Sequence, residues 1–329
     1  MLTLSNLLLG YQNSLPILPT ISEEAGAGEL IALIGSNGVG KSTLLRTVAG
    51  LQPALAGTIK ILGKPINALP RGERARLLSF VPSEPVRVPN LTVRDFVAMS
   101  RFPHTGWNHP LKPHDCEMVS GATAWVGIGH LERREMVAIS DGERQRAMIA
   151  FALAQDTRVI LMDEPTAFLD LPNKFATVRL LSQLAAEHGK TIIYSTHDLQ
   201  GALGQAHTLW MMLSTGLTTG MPEELALNGS LGKLMAGSNV SFNLETGTFR
   251  NSPIKAKRVA IQGKGVMLEW TRRLAERLGF PVASGEADGD ITVVCQGYPT
   301  AGTWQILEND VEVCRANSLG RLAQELSRY

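Results

Sequence analysis

Apolar residues in this chain fall in short blocks separated by turn formers. Leu2–Leu9, Leu30–Ile34 and Gly57–Leu62, the last rich in β-branched residues, have the length and flanks of strands. Between the second and third, the apolar spacing of TLLRTVAG (Thr43–Gly50) predicts a helix. Past Pro82 the character changes. Pro82, Pro85 and Pro89 crowd one stretch, Leu91–Phe102 has helical spacing, Pro103–Pro110 reads as a loop, and a helical pattern returns near Asp115. This predicts a mainly helical insert over about 84–145. A helix over Arg144–Ala154, a buried strand over Val159–Met162, a helix over Asn173–His188 and a strand over Thr191–Ser195 follow. Strands alternating with helices imply parallel crossovers, hence an α/β sheet.

Gly229, Ser230, Gly232, Gly237 and Ser238 then thin the pattern into a linker leading toward Pro253. Beyond it, Arg258–Gln262 reads as a strand and Met267–Leu278 as a helix stopped by Gly279. Three short strands, Ile291–Gln296, Thr303–Leu307 and Val311–Arg315, precede a last helix over Leu319–Ser327. The chain therefore divides, on pattern alone, into residues 1–250 and a small α+β domain over 251–329. Its 329 residues suffice for two cores. Trp270, Trp304, Cys295 and Cys314 are expected to pack inside the second.

Composition narrows the classes. A formal net charge of +1 offers no basic surface for nucleic acid, so no nucleic-acid partner is expected. The three cysteines, Cys116, Cys295 and Cys314, lie far apart without metal-ligand or disulfide spacing, which favours a reducing compartment. The N-terminus lacks a basic n-region and a cleavage site, and no apolar run reaches the ~18 residues of a membrane span. A cytoplasmic protein is expected.

The strongest chemical signal is Gly35-Ser36-Asn37-Gly38-Val39-Gly40-Lys41-Ser42-Thr43, between a strand and a helix. It fits G-x-x-x-x-G-K-[ST], a phosphate-binding loop. Its glycines let backbone N–H groups surround phosphate oxygens, and the following helix presents its positive end. Lys41 supplies a full charge toward the β- and γ-phosphates, and Ser42 a hydroxyl for Mg²⁺. Five further features follow in order. Val159–Met162 delivers Asp163 and Glu164 to a sheet edge, where Asp163 can hold Mg²⁺ through water and Glu164 can polarise an attacking water. Ser140-Asp141-Gly142 opens a helix, a setting suited to phosphate. Leu169-Asp170 and Ser195-Thr196-His197-Asp198 lie downstream, and Tyr11 can stack on a base or pack in the core. Singly, each has a plainer reading as a strand end, a cap or a surface residue. The ordered set does not.

Over about residues 1–220 the chain resembles the ATP-binding subunits of ABC transporters. The resemblance implies a P-loop ATPase cassette with a RecA-like core, a helical insert and an N-terminal antiparallel β part. GSNGVGKST then corresponds to Walker A, VILMDE to Walker B, SDGER to the signature motif, Phe168-Leu169-Asp170 to the D-loop and His197 to the switch histidine. It further implies a homodimer with two ATP molecules and Mg²⁺ at its interface, Ser140 and Gly142 serving the partner's nucleotide. Two integral-membrane permease subunits are implied, with an extracytoplasmic substrate-binding protein acting indirectly, and a peripheral place on the cytoplasmic face of the inner membrane. SDGERQRAMIAFALAQDT, DEPTAFLDLPN and LTVRDFVAMSRFPHTGW resemble importers of iron–siderophore complexes, haem or cobalamin. Two departures stand out. Ser83, followed by Glu84, occupies the position usually held by a glutamine that reaches Mg²⁺ and water, which implies weaker coupling. Phe151 stands where arginine is common, which implies a different packing of that helix. A regulatory ATP-binding module or a soluble ABC factor uncoupled from transport is the competing reading, and a contact between two copies is the expected use of the C-terminal domain.

Overall fold

Alternation decides the first element. Leu2, Leu4 and Leu7 are buried while Thr3, Ser5 and Asn6 are not, giving strand β1 (Leu2–Leu8). The computed structural model describes residues 1–11, 15–84, 86–106, 110–167, 169–283, 289–298 and 301–329. After β1 come β2 (Ile21–Ala25), β3 (Leu30–Gly35), α1 (Lys41–Val48), β4 (Ala56–Ile61) and β5 (Lys64–Pro65). Four of these form an antiparallel sheet in the order β2-β1-β4-β5. β3 behaves differently. Every residue from Leu30 to Ile34 is buried, as in a strand covered on both faces.

Helix α2 (Arg71–Leu77) and β6 (Leu78–Val81) lead to the helical region. It contains α3 (Val93–Met99), α4 (Phe102–Thr105), α5 (Pro113–Trp125) and α6 (Asp141–Ala154). The chain returns to the sheet through β7 (Val159–Met162), α7 (Leu171–His188), β8 (Thr191–Ser195), α8 (Leu199–Gln205), β9 (Thr208–Leu213), β10 (Gly216–Gly220) and α9 (Pro222–Leu227). The second sheet has the order β10-β9-β3-β8-β7-β6. All its pairs are parallel except the β9–β10 hairpin. The carboxyl ends of β3, β7 and β8 therefore share one edge, where α/β sheets bind ligands. This is the α/β cassette with an antiparallel β part that the sequence predicts.

The insert has its own anchors. Arg101 and Asp115, each only 4% exposed, pair at 2.8 Å, and a second Arg101 nitrogen donates to the Ala154 carbonyl at 2.7 Å. A charge-assisted bond inside a helical cluster fixes α5 against the end of α6. Phe151 rests on Phe96 with ring centroids 5.1 Å apart, so the departure from arginine is an apolar contact between α6 and α3.

Three expectations change. Pro103-His104-Thr105 is the body of α4 rather than loop, because proline in a first helical turn gives up no hydrogen bond; Trp107, Asn108 and His109 lie outside the described residues. The helix expected over Arg144–Ala154, α6, starts earlier, at Asp141, because Ser140 caps it there. The linker carries structure as well. After a 3₁₀ segment over Ser230–Met235, β11 (Val240–Asn243) and β12 (Thr248–Asn251) form a hairpin closed by the Phe242–Phe249 ring contact at 5.2 Å. The compact units are accordingly Met1–Ser230 and Leu231–Tyr329, not a division at 250.

Within the second unit, β13 (Val259–Gln262), α10 (Gly265–Arg277), β14 (Ile291–Gln296), β15 (Thr303–Glu308), β16 (Val311–Ala316) and α11 (Leu319–Leu326) complete the chain. Its sheet order is β13-β14-β15-β16, with the first pair parallel. Trp304 is core and donates its indole N–H to Thr271 at 2.8 Å, and Cys295 is buried. Trp270 is not core. It is 55% exposed, with the Arg273 guanidinium 5.1 Å from its ring centre.

Asp115→Ala strands the buried Arg101 charge, so urea denaturation should show a loss of about 3 kcal/mol or more in the unit that holds the insert. A loss under about 0.5 kcal/mol, the size of a surface change, would show that the pair is not an anchor.

Candidate active site

The phosphate loop is shaped by backbone angles that only glycine takes easily. Gly35, Gly38 and Gly40 have φ of 154°, 77° and 110°. At Gly35 there is no room either, since a Cβ would stand 2.5 Å from the Met212 carbonyl oxygen of the paired strand β9. Ser36, Asn37 and Gly38 are exposed at the crest. Lys41 opens α1, and its ammonium group donates back to the carbonyls of Gly35 at 2.8 Å and Ser36 at 3.1 Å. Burial pushes the Lys41 ammonium below its ordinary value, while the Glu164 and Asp163 carboxylates pull it upward. Tyr11, 57% exposed, places its hydroxyl 3.4 Å from the Thr43 hydroxyl, which sets the ring beside the start of α1.

Strands β7 and β8 supply the rest. Ser42 Oγ donates to Asp163 Oδ1 at 3.0 Å, and Ser195 Oγ donates to the same oxygen at 2.7 Å. The next residue, Glu164, lies in the left-handed region at φ 52°. Its backbone N–H donates to Ser195 Oγ at 2.9 Å, and its carboxylate Oε1 lies 2.9 Å from His197 Nε2. Lys41, Ser42, Asp163, Glu164 and His197 therefore converge as the sequence predicts. Ser195 was legible only as part of the STHD string. A small hydroxyl side chain closing a strand whose centre is Ile192–Ile193 was the signal that a partner had to exist at that depth.

Other expected site residues lie apart from this cluster. Ser140 caps α6 in a reciprocal box: the Glu143 carboxylate accepts from the Ser140 backbone N–H and hydroxyl, each at 2.8 Å, and the Ser140 hydroxyl accepts from the Glu143 N–H at 3.3 Å. The Ser140 backbone and hydroxyl donors hold the Glu143 carboxyl below the usual range. Among the described residues no hydrogen bond links Ser140, Gly142 or Asp170 to the phosphate loop. Gly142 faces Leu169 instead, where an added Cβ would lie 3.3 Å from Leu169 Cδ2. Asp170 caps α7, accepting from Asn173 N–H at 3.1 Å. Phe168 lies outside the described residues. Ser83 is half-buried just after β6, and Glu84 beside it is exposed.

A family model described as ABC transporter matches residues 18–167, and one described as Iron ABC transporter C-terminal domain matches residues 255–327. The achromobactin transport ATP-binding protein CbrD of Dickeya dadantii is 38% identical over 225 residues, which are 68% of this chain and 83% of that protein. The chain belongs to the ATP-binding proteins of ABC transporters. Its reaction is ATP hydrolysis. The ferric enterobactin transport ATP-binding protein FepC of Escherichia coli is 34% identical, over 67% of this chain and 81% of its own. Among solved structures, an inward-facing metal-chelate type ABC transporter aligns with a TM-score of 0.60 at 28% identity, over 70% of this chain and 87% of its own. The dimeric cassette MJ0796 shares the fold, with a TM-score of 0.60 at 23% identity over 68% of this chain and 99% of that one.

Gly35→Ala should weaken ATP binding at least ~10-fold, because the added methyl meets a backbone oxygen in a paired strand and the φ angle is strained by about 1–3 kcal/mol. Equilibrium titration with a fluorescent nucleotide reads this, and wild-type affinity would show that the loop tolerates a side chain.

Proposed function

We propose that this chain is the ATP-hydrolysing subunit of an importer for a metal chelate, an iron–siderophore, haem or cobalamin, working with two membrane permease subunits. The observation that carries the catalytic half is the cluster of Ser42, Asp163, Glu164 and His197 on one sheet edge beside Lys41. The cargo class is favoured by relatives named for achromobactin and ferric enterobactin transport, and by the C-terminal match to an iron transporter domain.

The residues present fit ATP and Mg²⁺. Ser42 and Asp163 offer hard oxygen donors 3.0 Å apart, the donor type that Mg²⁺ takes in small number alongside phosphate oxygens. ATP supplies the γ-phosphoryl group and Mg²⁺ the countercharge for its transfer. Gly35, Ser36, Asn37, Gly38, Gly40 and Thr43 wrap the phosphates with backbone and hydroxyl donors. Lys41 moves its ammonium from the Gly35 and Ser36 carbonyls to phosphate oxygen. Glu164 orients and deprotonates water, and His197, 2.9 Å from that carboxylate, faces the same centre. Tyr11 stacks on the base.

Among the described residues no hydrogen bond ties Ser140 or Gly142 to the phosphate loop of the same chain, which supports a second copy completing each site, with Asp170 nearby at that interface. Closure is then favoured by nucleotide because only the closed pair offers both halves. The C-terminal unit is assigned to the same self-association, with Val311 and Val313 exposed on edge strand β16. No helix of the described residues is long and apolar enough to cross a membrane, in keeping with peripheral attachment to the cytoplasmic side of a permease. The extracytoplasmic binding protein enters only through that permease.

Glu164→Gln should keep ATP affinity and lose about 100-fold or more in turnover, the usual scale for a general base. Sedimentation should find it dimeric in ATP. Pull-down from native membranes should recover a many-span permease with Glu164-dependent ATPase; ATP binding without turnover or membrane partner would favour a regulatory module instead. Ser83 is the one feature that leans that way. A serine is too short to reach metal and water together, so Ser83→Gln should raise permease-stimulated ATPase several-fold. Unchanged stimulation would remove the coupling role from that position.

A further inference from the structure

Ser195 is the last residue of β8, fully buried, with a hydroxyl at the end of an apolar run. Its bonding is forced. The Glu164 backbone N–H can only donate, so Ser195 Oγ accepts it at 2.9 Å, and the single Ser195 hydroxyl hydrogen goes to Asp163 Oδ1 at 2.7 Å. One buried side chain thus holds two adjacent residues by two different handles. It grips the Asp163 carboxylate directly and Glu164 through its main chain.

Both grips matter locally. Asp163 is 1% exposed, and carboxylate oxygens at that depth need hydrogen-bond donors, which also hold the side chain in one rotamer. It has two on Oδ1, Ser42 and Ser195, and Ser42 is the one assigned to Mg²⁺. Ser195 is the donor with no other duty. Glu164, meanwhile, sits at φ 52°, a left-handed conformation that is strained for a non-glycine residue and persists only where its surroundings impose it. The Ser195–Glu164 bond imposes it from below, and the His197–Glu164 contact from above. His197 is itself placed from the same strand end, since Thr196 Oγ1 accepts the Asp198 N–H at 3.0 Å and Asp198 caps α8.

We infer that Ser195 is a positioning residue of this ATPase, its hydroxyl setting the Asp163 carboxylate for the divalent ion and the Glu164 backbone for the water it activates. The inference rests on the roles proposed above for Asp163 and Glu164. It predicts a separation of effects, because Ser195 lies under the carboxylates rather than under the phosphate loop. Nucleotide alone should bind Ser195→Ala as it binds wild type, while the tightening produced by Mg²⁺ should shrink.

The test compares Ser195→Ala, Ser195→Thr and Ser195→Cys in the full chain, with Glu164→Gln alongside. Equilibrium ADP binding is measured with and without Mg²⁺, and kcat and KM for ATP are measured separately. Removing one partner from two buried hydrogen bonds should cost about 5–10-fold in the Mg²⁺-dependent tightening and about 10–100-fold in kcat, with KM little changed. Ser195→Thr, which keeps the hydroxyl, should recover to within about 3-fold, whereas Ser195→Cys, which keeps the volume with a weak donor, should behave like alanine. If Ser195→Ala lacks a cooperative melting transition, the cysteine variant reads the same quantities. Wild-type Mg²⁺ response and kcat in the alanine and cysteine variants would overturn the inference. So would equal impairment in alanine and threonine, which would make the site one of packing. Wild-type turnover in Glu164→Gln would instead overturn the assigned base, a separate failure.

Discussion

A single buried oxygen organises the catalytic edge. Asp163 Oδ1 accepts from Ser42 at the start of α1 and from Ser195 at the end of β8, and Asp163 itself directly follows β7. Three segments remote in sequence are therefore tied at one atom. The parallel sheet makes this possible, because β3, β8 and β7 are neighbours and all end at the same edge. A carboxylate so deep is unfavourable without donors, so the same bonds that satisfy Asp163 also fix the spacing of the phosphate loop from strand β7. The strained backbone of Glu164 follows from it. Once Asp163 is pinned, the next residue must turn sharply to bring its carboxylate back to His197.

The helical region answers to different forces. Its anchors are the Arg101–Asp115 pair, the Arg101 bond to the Ala154 carbonyl and the Phe96–Phe151 contact, the last two reaching α6. None of them reaches the Asp163 node. Other bonds tie this region back toward the sheet: Gln155 Nε2 donates to the Ala75 and Leu78 carbonyls at 2.7 and 3.3 Å, and Arg76 Nε donates to the Pro103 carbonyl at 2.7 Å.

Much of this was legible in the sequence for a physical reason. Apolar blocks ending in Lys41, in Asp163-Glu164 and beside His197 carry both a period and a chemistry, and each reinforces the other. The missed features lack one of the two. The β11–β12 hairpin has few buried residues and many turn formers, so its signal resembles a linker until Phe242 meets Phe249 across strands. Helix α4 contains Pro103, which reads as a breaker unless it is known to lie in a first turn. Phe151 implied a different packing of its helix, but the partner Phe96 is distant in sequence, so the contact itself could not be named. Ser195 was quoted as part of a motif, yet its work depends on burial and on two hydrogen-bond directions, and a linear string encodes neither.

The head of α6 bears directly on the proposed pairing of two copies, in which each chain would supply half of each site. Ser140 spends its backbone N–H and its hydroxyl on Glu143, whose carboxylate those same donors keep charged at the head of α6. In one copy that arrangement is self-sufficient, because the capping box satisfies donors that would otherwise be orphaned. A phosphate approaching the same helix end competes with Glu143 for Ser140 and meets its negative charge. In the proposed dimer, closure would therefore need an anion strong enough to displace an internal cap, and a terminal phosphate held by the opposing loop would meet that demand better than a free anion in solution. Within that proposal, the dependence of closure on bound nucleotide arises from the cap itself.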